Sequence, residues 1–446
     1  MFFEIFKKEL REGLLDAKFI LSTVFCTLII SLSFFTMIKD YQFRLNNFHQ
    51  DKIRAETWMR LAKENGWLPP MAWMVEYTDV LLEEPNPLSI FAQGADRTIS
   101  TEGGKSSGEL SLSRAHSLAQ VNPIFAYFPT PDFTFVTIFI LSIFGIFYSF
   151  DAVCGEKQQG TLRMILANNV PRSKLILGKM TGRFILLMAS MLIAALLGFS
   201  QLLLSPILSL KLSHYLGITG VLINSILYVA IFFFIGFLFS CIVHKSSLSL
   251  LLSLIAWFLF VLVLPSQGKL AAERISSLPL PEEIESLKFL KKSEVMAGAS
   301  EWRESYPRWA KVGEIFITID QNYRNNLLNQ QLLIKKLTFV SPAALLYSIN
   351  TNISGTSVVD EQRYLSHVNT FLNELRIYKA KKFEREIGEE KELPAQDSLK
   401  APLFMYRSRG LKERLENSLL ESTGLVFFSF LFGLLSYIRF LKYDVR

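Results

Sequence analysis

The sequence has few of the side chains on which enzymes and metal sites depend. It contains three cysteines (Cys26, Cys154 and Cys241) and five histidines in 446 residues. The histidines are scattered, with no pair three or four residues apart, and the cysteine spacing fits no zinc site. No complete phosphate-binding loop is present either. The sequence therefore offers no candidate for catalysis by this chain and no site for a metal or a nucleotide cofactor.

Charged residues are missing from six long apolar runs. The chain is 50% hydrophobic, which is high for a soluble domain of this length. A helix of about 20 apolar residues crosses the hydrocarbon core of a bilayer, and charged groups inside such helices usually mark proton or ion relays. The fold class that we expect is an all-α polytopic membrane protein without its own relay, with six transmembrane helices at 19–38, 133–150, 184–204, 216–243, 246–264 and 422–438.

Basic residues are concentrated on one side of this predicted bundle. Six spans place both termini on the same side, together with the loop 151–183 and Lys245, whereas the short loop on the other side carries Lys211. The positive-inside rule then predicts cytoplasmic termini in an inner membrane, with two insertions, 39–132 and 265–421, forming a mainly helical extracytoplasmic domain. This topology accounts for the net charge of +7 without a nucleic acid partner.

The first 18 residues have the pattern of an amphipathic helix. Bulky apolar side chains are crowded at its start and alternate with charged ones. We expect an interfacial elbow helix over 1–18 that contacts membrane lipid, with Phe2, Phe3 and Phe6 as anchors.

A short basic loop, residues 151–183, joins the second and third spans. Residues 156–166 lack proline and are rich in good helix formers, which predicts one amphipathic helix over 156–167. Asn168-Asn169 predicts its end, and Pro171 suits the first turn of a new helix that enters the third span. The residues alone leave open a helix that merely lies among the lipid headgroups.

The loop carries an ordered series of residues: Glu156, Gly160-Thr161-Leu162, Ile165-Leu166, Val170-Pro171-Arg172-Ser173 and Ile176-Leu177-Gly178-Lys179. This series resembles the coupling-helix loop in permease subunits of the ABC-2 transporter family, and the segment 85–91 resembles part of their first outer loop. The resemblance implies an ATPase-coupling role for Glu156, Gly160, Thr161, Leu162, Arg163, Ile165, Pro171 and Arg172. Among these, Glu156 and Arg163 would make polar contacts with an ATP-binding subunit, and Leu162 and Ile165 would fill an apolar groove in it.

The same resemblance implies the composition of the whole transporter. Two permease subunits, identical or different, would assemble with ATP-binding subunits. Those subunits would hold ATP and magnesium, so this chain would carry no cofactor and no catalytic residue. Export is the usual direction in the family, and the outer insertions could bind an extracytoplasmic partner.

Small and polar residues within the third and fourth spans are candidates for a transport pathway or a helix interface. They are Gly198, Ser200, Gln201, Asn224 and Ser225. Ordinary helix packing through small residues is the alternative for each. A second class of function also fits the chain: a membrane-anchored assembly or mechanotransmission scaffold that binds envelope partners and passes no cargo.

Overall fold

The structure is a computed structural model that describes residues 2–64, 84–94, 131–168, 170–206, 208–298, 302–388 and 406–442. Within these ranges every regular element is helical. Six of the helices are long and apolar enough to cross a membrane. The chain is therefore the all-α polytopic membrane protein that the sequence predicts.

Further helices connect the membrane helices. In the first half of the chain the helices are α1 (Phe2–Leu15), α2 (Ala17–Glu64), a 3-10 turn (Pro87–Ile90), α3 (Phe133–Val136, a π-helical turn Thr137–Leu141 and Ser142–Ser149), α4 (Cys154–Gln159), α5 (Thr161–Ala167), α6 (Arg172–Leu204) and α7 (Leu212–Ile242). The second half contains α8 (Ser246–Phe258, a π-helical turn Leu259–Val263 and Leu264–Ile275), α9 (Pro281–Met296), α10 (Trp302–Leu337), α11 (Pro342–Ser354), α12 (Val358–Gly388), α13 (Leu411–Glu416) and α14 (Leu419–Leu441). The spans, in order, are α2, α3, α6, α7, α8 and α14.

The fourth span, α7, lies at the centre of the bundle. Its apolar window is 67% buried inside the chain, whereas that of the fifth span is only 17% buried. Glycines bring the second and fourth spans close together: a Cβ on Gly145 would lie 2.9 Å from the carbonyl oxygen of Val229, and one on Gly236 would lie 3.3 Å from the Cα of Ile146. Small residues allow two backbones to approach in this way. The second and fourth spans are thus a tightly packed pair.

Two of the membrane helices extend beyond their uncharged runs. The helix of the first span does not end near Ile38 but continues without a break to Glu64. The helix of the fifth span does not end at Pro265, as the sequence suggests, but continues to Ile275. The π-helical turn Leu259–Val263 shifts the hydrogen-bond register just before Pro265. Pro265 therefore lies in the first turn of the following helical segment, where a residue without a backbone N–H is tolerated.

The described parts of the two polar insertions pack against each other. Within the first insertion, Arg44 donates from Nε to Asp40 at 2.9 Å and from Nη2 to the hydroxyl of Ser89 at 2.9 Å. From the second insertion, the hydroxyl of Thr356 donates to the carbonyl oxygen of Ala92 at 2.8 Å. These groups are buried, so their hydrogen bonds fix how the insertions meet. Residues 65–83 and 95–130 of the first insertion lie outside the described residues.

Candidate functional site

The basic loop forms two short helices and not the single helix over 156–167 that the sequence predicts. α4 ends and α5 begins at Gly160, whose φ of +74° is left-handed. A Cβ on Gly160 would meet nothing within 4 Å, so the glycine serves the backbone conformation and not a close contact. We call α4 and α5 together the two-helix segment (residues 154–167).

The apolar side of the two-helix segment faces the chain's own bundle. Leu162 is only 1% exposed and belongs to the main hydrophobic core, and Ile165 is half-buried against that core. In this structure Leu162 therefore packs into the chain's own bundle and has almost no surface for a partner's groove, and its role in coupling stays a prediction. Arg163 and Met164 are among the exposed side chains of α5, and Met164 is 70% exposed. The spacing of apolar residues did not reveal Met164, because it lies off the apolar side of the helix.

Glu156 also points into the chain. The amine Nζ of Lys179, on the third span, donates to Oε1 of Glu156 at 2.6 Å and to Oε1 of Glu9 in α1 at 2.7 Å. The Lys179 side chain is 2% exposed, so this lysine is one of the most deeply buried large side chains in the protein. One cation thus joins the elbow helix, the two-helix segment and the third span.

A second cation on the third span extends this cluster. Arg183 donates from Nε to Oε2 of Glu9 at 3.2 Å and from Nη1 to Asp151, which also pairs with Lys18 at the start of the first span. The cluster has as many acidic as basic side chains, and such balance is what makes buried charges tolerable. Its members are Glu9, Lys18, Asp151, Glu156, Lys179 and Arg183.

The cations of the cluster determine the ionisation of Glu9. Burial by itself would raise the pKa of its carboxyl group, but the charges of Lys179 and Arg183 and their hydrogen bonds outweigh burial and hold that pKa below its ordinary value. The carboxylate is therefore ionised at neutral pH, and the cluster is balanced in charge.

Two glycines on the third span let the elbow helix lie close to it. A Cβ on Gly178 would be 2.8 Å from Cγ2 of Ile5, and one on Gly182 would be 2.8 Å from Cβ of Glu9. The same i, i+4 spacing recurs in Lys179 and Arg183, and this pairing of small with basic residues is the signal that could have predicted a docked helix here. From the sequence, both cations indicate topology and Lys179 also matches the family pattern, but neither is predicted to pair with α1.

The predicted membrane anchors differ in exposure. Phe3 is 77% exposed, whereas Phe2 and Phe6 are half-buried and stack on each other with ring centroids 6.3 Å apart. Phe3 is the anchor with the most surface available to lipid. The anchoring role of all three remains a prediction.

The ends of the loop contact two further spans. Lys157 in α4 donates from Nζ to the carbonyl oxygens of Cys241 at 2.5 Å and Val243 at 3.2 Å, where the fourth span ends. Arg172 donates from Nη1 to the carbonyl oxygen of Leu441 at 3.0 Å, at the last residue of α14. Of the other predicted coupling residues, Thr161 is half-buried and Pro171 is exposed, immediately before α6.

The five residues considered for a pathway lie in different environments. Gly198 packs between the first and third spans, where an added Cβ would be 3.1 Å from Cγ2 of Ile30. Ser200 is exposed, and its hydroxyl donates to the carbonyl oxygen of Leu197. Gln201 is half-buried, whereas Asn224 and Ser225 are buried in the fourth span. Helix packing accounts for Gly198, and a pathway through the other four remains a prediction.

Comparison with known proteins agrees with this architecture. Residues 3–375 match the family model described as ABC-2 family transporter protein. A stretch of 129 residues is 30% identical to the probable ABC transporter permease protein NosY of Stutzerimonas stutzeri, and covers 28% of this chain and 45% of that relative. The chain thus spans less than half the length of this relative. Because the family match extends over most of the chain, the protein belongs to the ABC-2 transporter family.

Proposed function

We propose that this membrane permease is driven by a separate ATP-binding subunit that docks on the two-helix segment, and that it exports its cargo. The proposal rests on one feature of the two-helix segment: one of its faces is exposed, and the other is held firmly against the bundle. Met164 and Arg163 point away from the chain, while Leu162 and Glu156 hold the segment to the bundle. A docking element that must transmit force needs both properties.

The chemistry of the outward face suits a protein partner. Methionine is flexible and polarisable, so it adapts to apolar grooves in partner proteins. Arg163 beside it can donate several hydrogen bonds to carboxylates of a partner. We expect Met164 to provide the apolar contact that was assigned to Leu162 from the sequence.

The rest of the assembly follows from this arrangement. ATP and magnesium would bind and ATP would be hydrolysed in the partner, and two permease subunits would complete the transporter. The termini and the two-helix segment would lie in the cytoplasm, on the inner face of the cell's inner membrane, because the short basic segments are on that side. The polar insertions would then face outward and could bind a further partner.

A co-purification experiment tests the proposal. The tagged chain is purified from its native membranes in mild detergent, and bound ATPase activity is measured for the wild type, for Met164→Asp and for the control Lys174→Ser. Lys174 is exposed on the same loop but lies outside the two-helix segment. We expect an ATPase with the wild type and the control, and its loss with Met164→Asp. ATPase recovery that is equal for all three chains would contradict docking at Met164.

A mechanotransmission role without cargo is the second candidate. It is favoured by the buried 3-10 turn Pro87–Ile90, which connects the outer insertion to the fourth span: a Cβ on Gly217 would lie 2.8 Å from Cδ1 of Leu88. In this case the same ATPase would co-purify, but the isolated complex in vesicles would move no solute. Envelope proteins recovered with the outer insertions and not with the spans alone would support this alternative.

A further inference from the structure

We propose that the fourth span moves together with the two-helix segment, and that Lys157 and Ser240 are the positioning residues that join them. The proposal rests on the proposed function, because the movement concerned is the one that an ATP-binding subunit would impose.

Each of the two elements caps a helix end of the other. Lys157 donates to carbonyl oxygens at the C-terminus of α7, with Nζ 2.5 Å from the oxygen of Cys241. The last carbonyls of a helix lack partners within that helix, and a cation stabilises the negative end of its dipole. In return, the hydroxyl of Ser240 accepts from the backbone N–H groups of Val153 and Cys154 at 2.9 and 3.0 Å, at the N-terminus of α4.

These caps are buried, which makes their separation costly. Ser240 and Cys154 have no exposed surface, and Lys157 is only partly exposed. Moving the two-helix segment away from α7 would leave several polar backbone groups unsatisfied, each at a cost of about 1–3 kcal/mol. A movement in which both elements shift together keeps these hydrogen bonds and therefore costs less free energy.

The turn between the fourth and fifth spans belongs to the same contact. The side-chain oxygen of Gln158 accepts from the backbone N–H of Ser246 at 3.3 Å. The sulfur of Cys154 lies 3.6 Å from the hydroxyl oxygen of Ser246. The two-helix segment therefore touches both sides of this turn.

A continuous set of close contacts leads outward from there. The second and fourth spans pack through Gly145 and Gly236, as described above. At the outer end of α7, Gly217 lies against Leu88 of the 3-10 turn and against Ile353 of α11. Contiguity alone does not demonstrate coupling, so the proposal needs a direct measurement.

A disulfide between the two-helix segment and Ser246, which follows the tight turn at the end of α7, provides that measurement. In a chain with Cys26→Ala and Cys241→Ala, the substitution Ser246→Cys places a second thiol beside Cys154. An added thiol oxidant removes one hydrogen atom from each thiol and forms the Sγ–Sγ bond. The complex with its ATP-binding subunit is reconstituted in nanodiscs, and amide hydrogen exchange over residues 212–220 is compared with and without ATP and vanadate.

If the two elements move together, the bond restrains nothing that needs to move. We expect the oxidised and reduced forms to show the same nucleotide-dependent change in exchange at 212–220, within about twofold. A change that is present in the reduced form and abolished in the oxidised form would overturn the proposal. The chain with Cys154→Ser in addition is the control for side effects of the oxidant.

Two substitutions test the positioning residues themselves. Lys157→Met and Ser240→Ala should keep the ATP-binding subunit bound but reduce the nucleotide-dependent change at 212–220 by roughly tenfold, because the first loses a charged hydrogen bond and the second loses two neutral ones. Lys157→Arg keeps the donors and should restore the change, and the exposed Lys174→Met should leave it intact. An undiminished response in both Lys157→Met and Ser240→Ala would overturn the proposal.

These experiments distinguish failure of the proposed function from failure of this inference alone. Absence of any ATP-binding subunit from the wild-type preparation would refute the proposed function, and this inference with it. A normal partner with an unaltered response in the substituted chains would refute only this inference.

Discussion

Lys179 on the third span and Glu156 on the two-helix segment form a buried ion pair, with Nζ 2.6 Å from Oε1. The same amine lies 2.7 Å from Oε1 of Glu9, so the elbow helix is held by the same charge. This lysine therefore holds two segments that are far apart in the chain to one span. If an ATP-binding subunit docks on the two-helix segment as proposed, the elbow helix is joined to the docking site through this lysine.

Removing the central cation should destabilise the protein strongly. In Lys179→Met the apolar stem is nearly conserved, but Glu9 and Glu156 lose their shared counter-charge within the buried cluster. Breaking a buried pair in this way costs about 3–5 kcal/mol. We expect a clear fall in the Tm of the detergent-purified chain, and little change for Lys174→Met. Equal Tm values for the two variants would show that the cluster adds nothing to stability.

The stability that Glu9 contributes should depend on pH. The folded pKa of its carboxyl group lies below the ordinary value, so this contribution is complete above the unfolded pKa and is lost as pH falls through the folded pKa. Glu9→Gln should therefore lower the Tm near pH 7 and have a progressively smaller effect towards acid. The measurement is Tm against pH for both chains. A difference that stays constant across the acid range would contradict the assigned ionisation.

An introduced charge should destabilise the protein strongly at Leu162 and hardly at all at Met164, although both residues lie in α5. Leu162→Asp buries a carboxylate in the core, and we expect a loss of about 3 kcal/mol or more. Met164→Asp adds a charge at a site that is already 70% exposed, so stability should change by no more than about 0.5 kcal/mol. Thermal unfolding of both chains, without any partner, checks this contrast. A stable Leu162→Asp chain would mean that the apolar side of α5 does not pack as described.

Features that depend on residues close together in the chain could be predicted from the sequence. Uncharged runs identified six membrane helices, and the Asn168-Asn169-Val170-Pro171 stretch correctly separated the loop from a helix starting at Arg172. The sequence could not show which way the apolar side of a short amphipathic helix faces. The pattern of apolar residues is the same whether that side packs into a partner's groove or against the chain's own bundle. The pairing of Glu9 with Lys179 was also hidden, because it joins residues far apart in the chain through the docking of α1.

The local break at Gly160 was missed for a different reason. The sequence suggests that Gly160 lies within one continuous helix, whereas its left-handed backbone ends α4 and starts α5. The apolar residues that indicated the helix, Leu162, Ile165 and Leu166, all follow Gly160, so their periodicity could not reveal a break before them. Only the backbone angle distinguishes a tolerated glycine from a required one.

Substitution of Gly160 tests whether that angle is required. Gly160→Ala should cost about 1 kcal/mol, because an L-residue with a side chain is disfavoured at a φ of +74°. Gly160→Asn should cost less, since asparagine tolerates the left-handed region and an added Cβ would meet nothing within 4 Å. The measurement is the Tm of each chain together with recovery of the ATPase. If alanine were as well tolerated as asparagine, the left-handed backbone angle would not be required at this position, and α4 and α5 could join into the continuous helix that the sequence suggests.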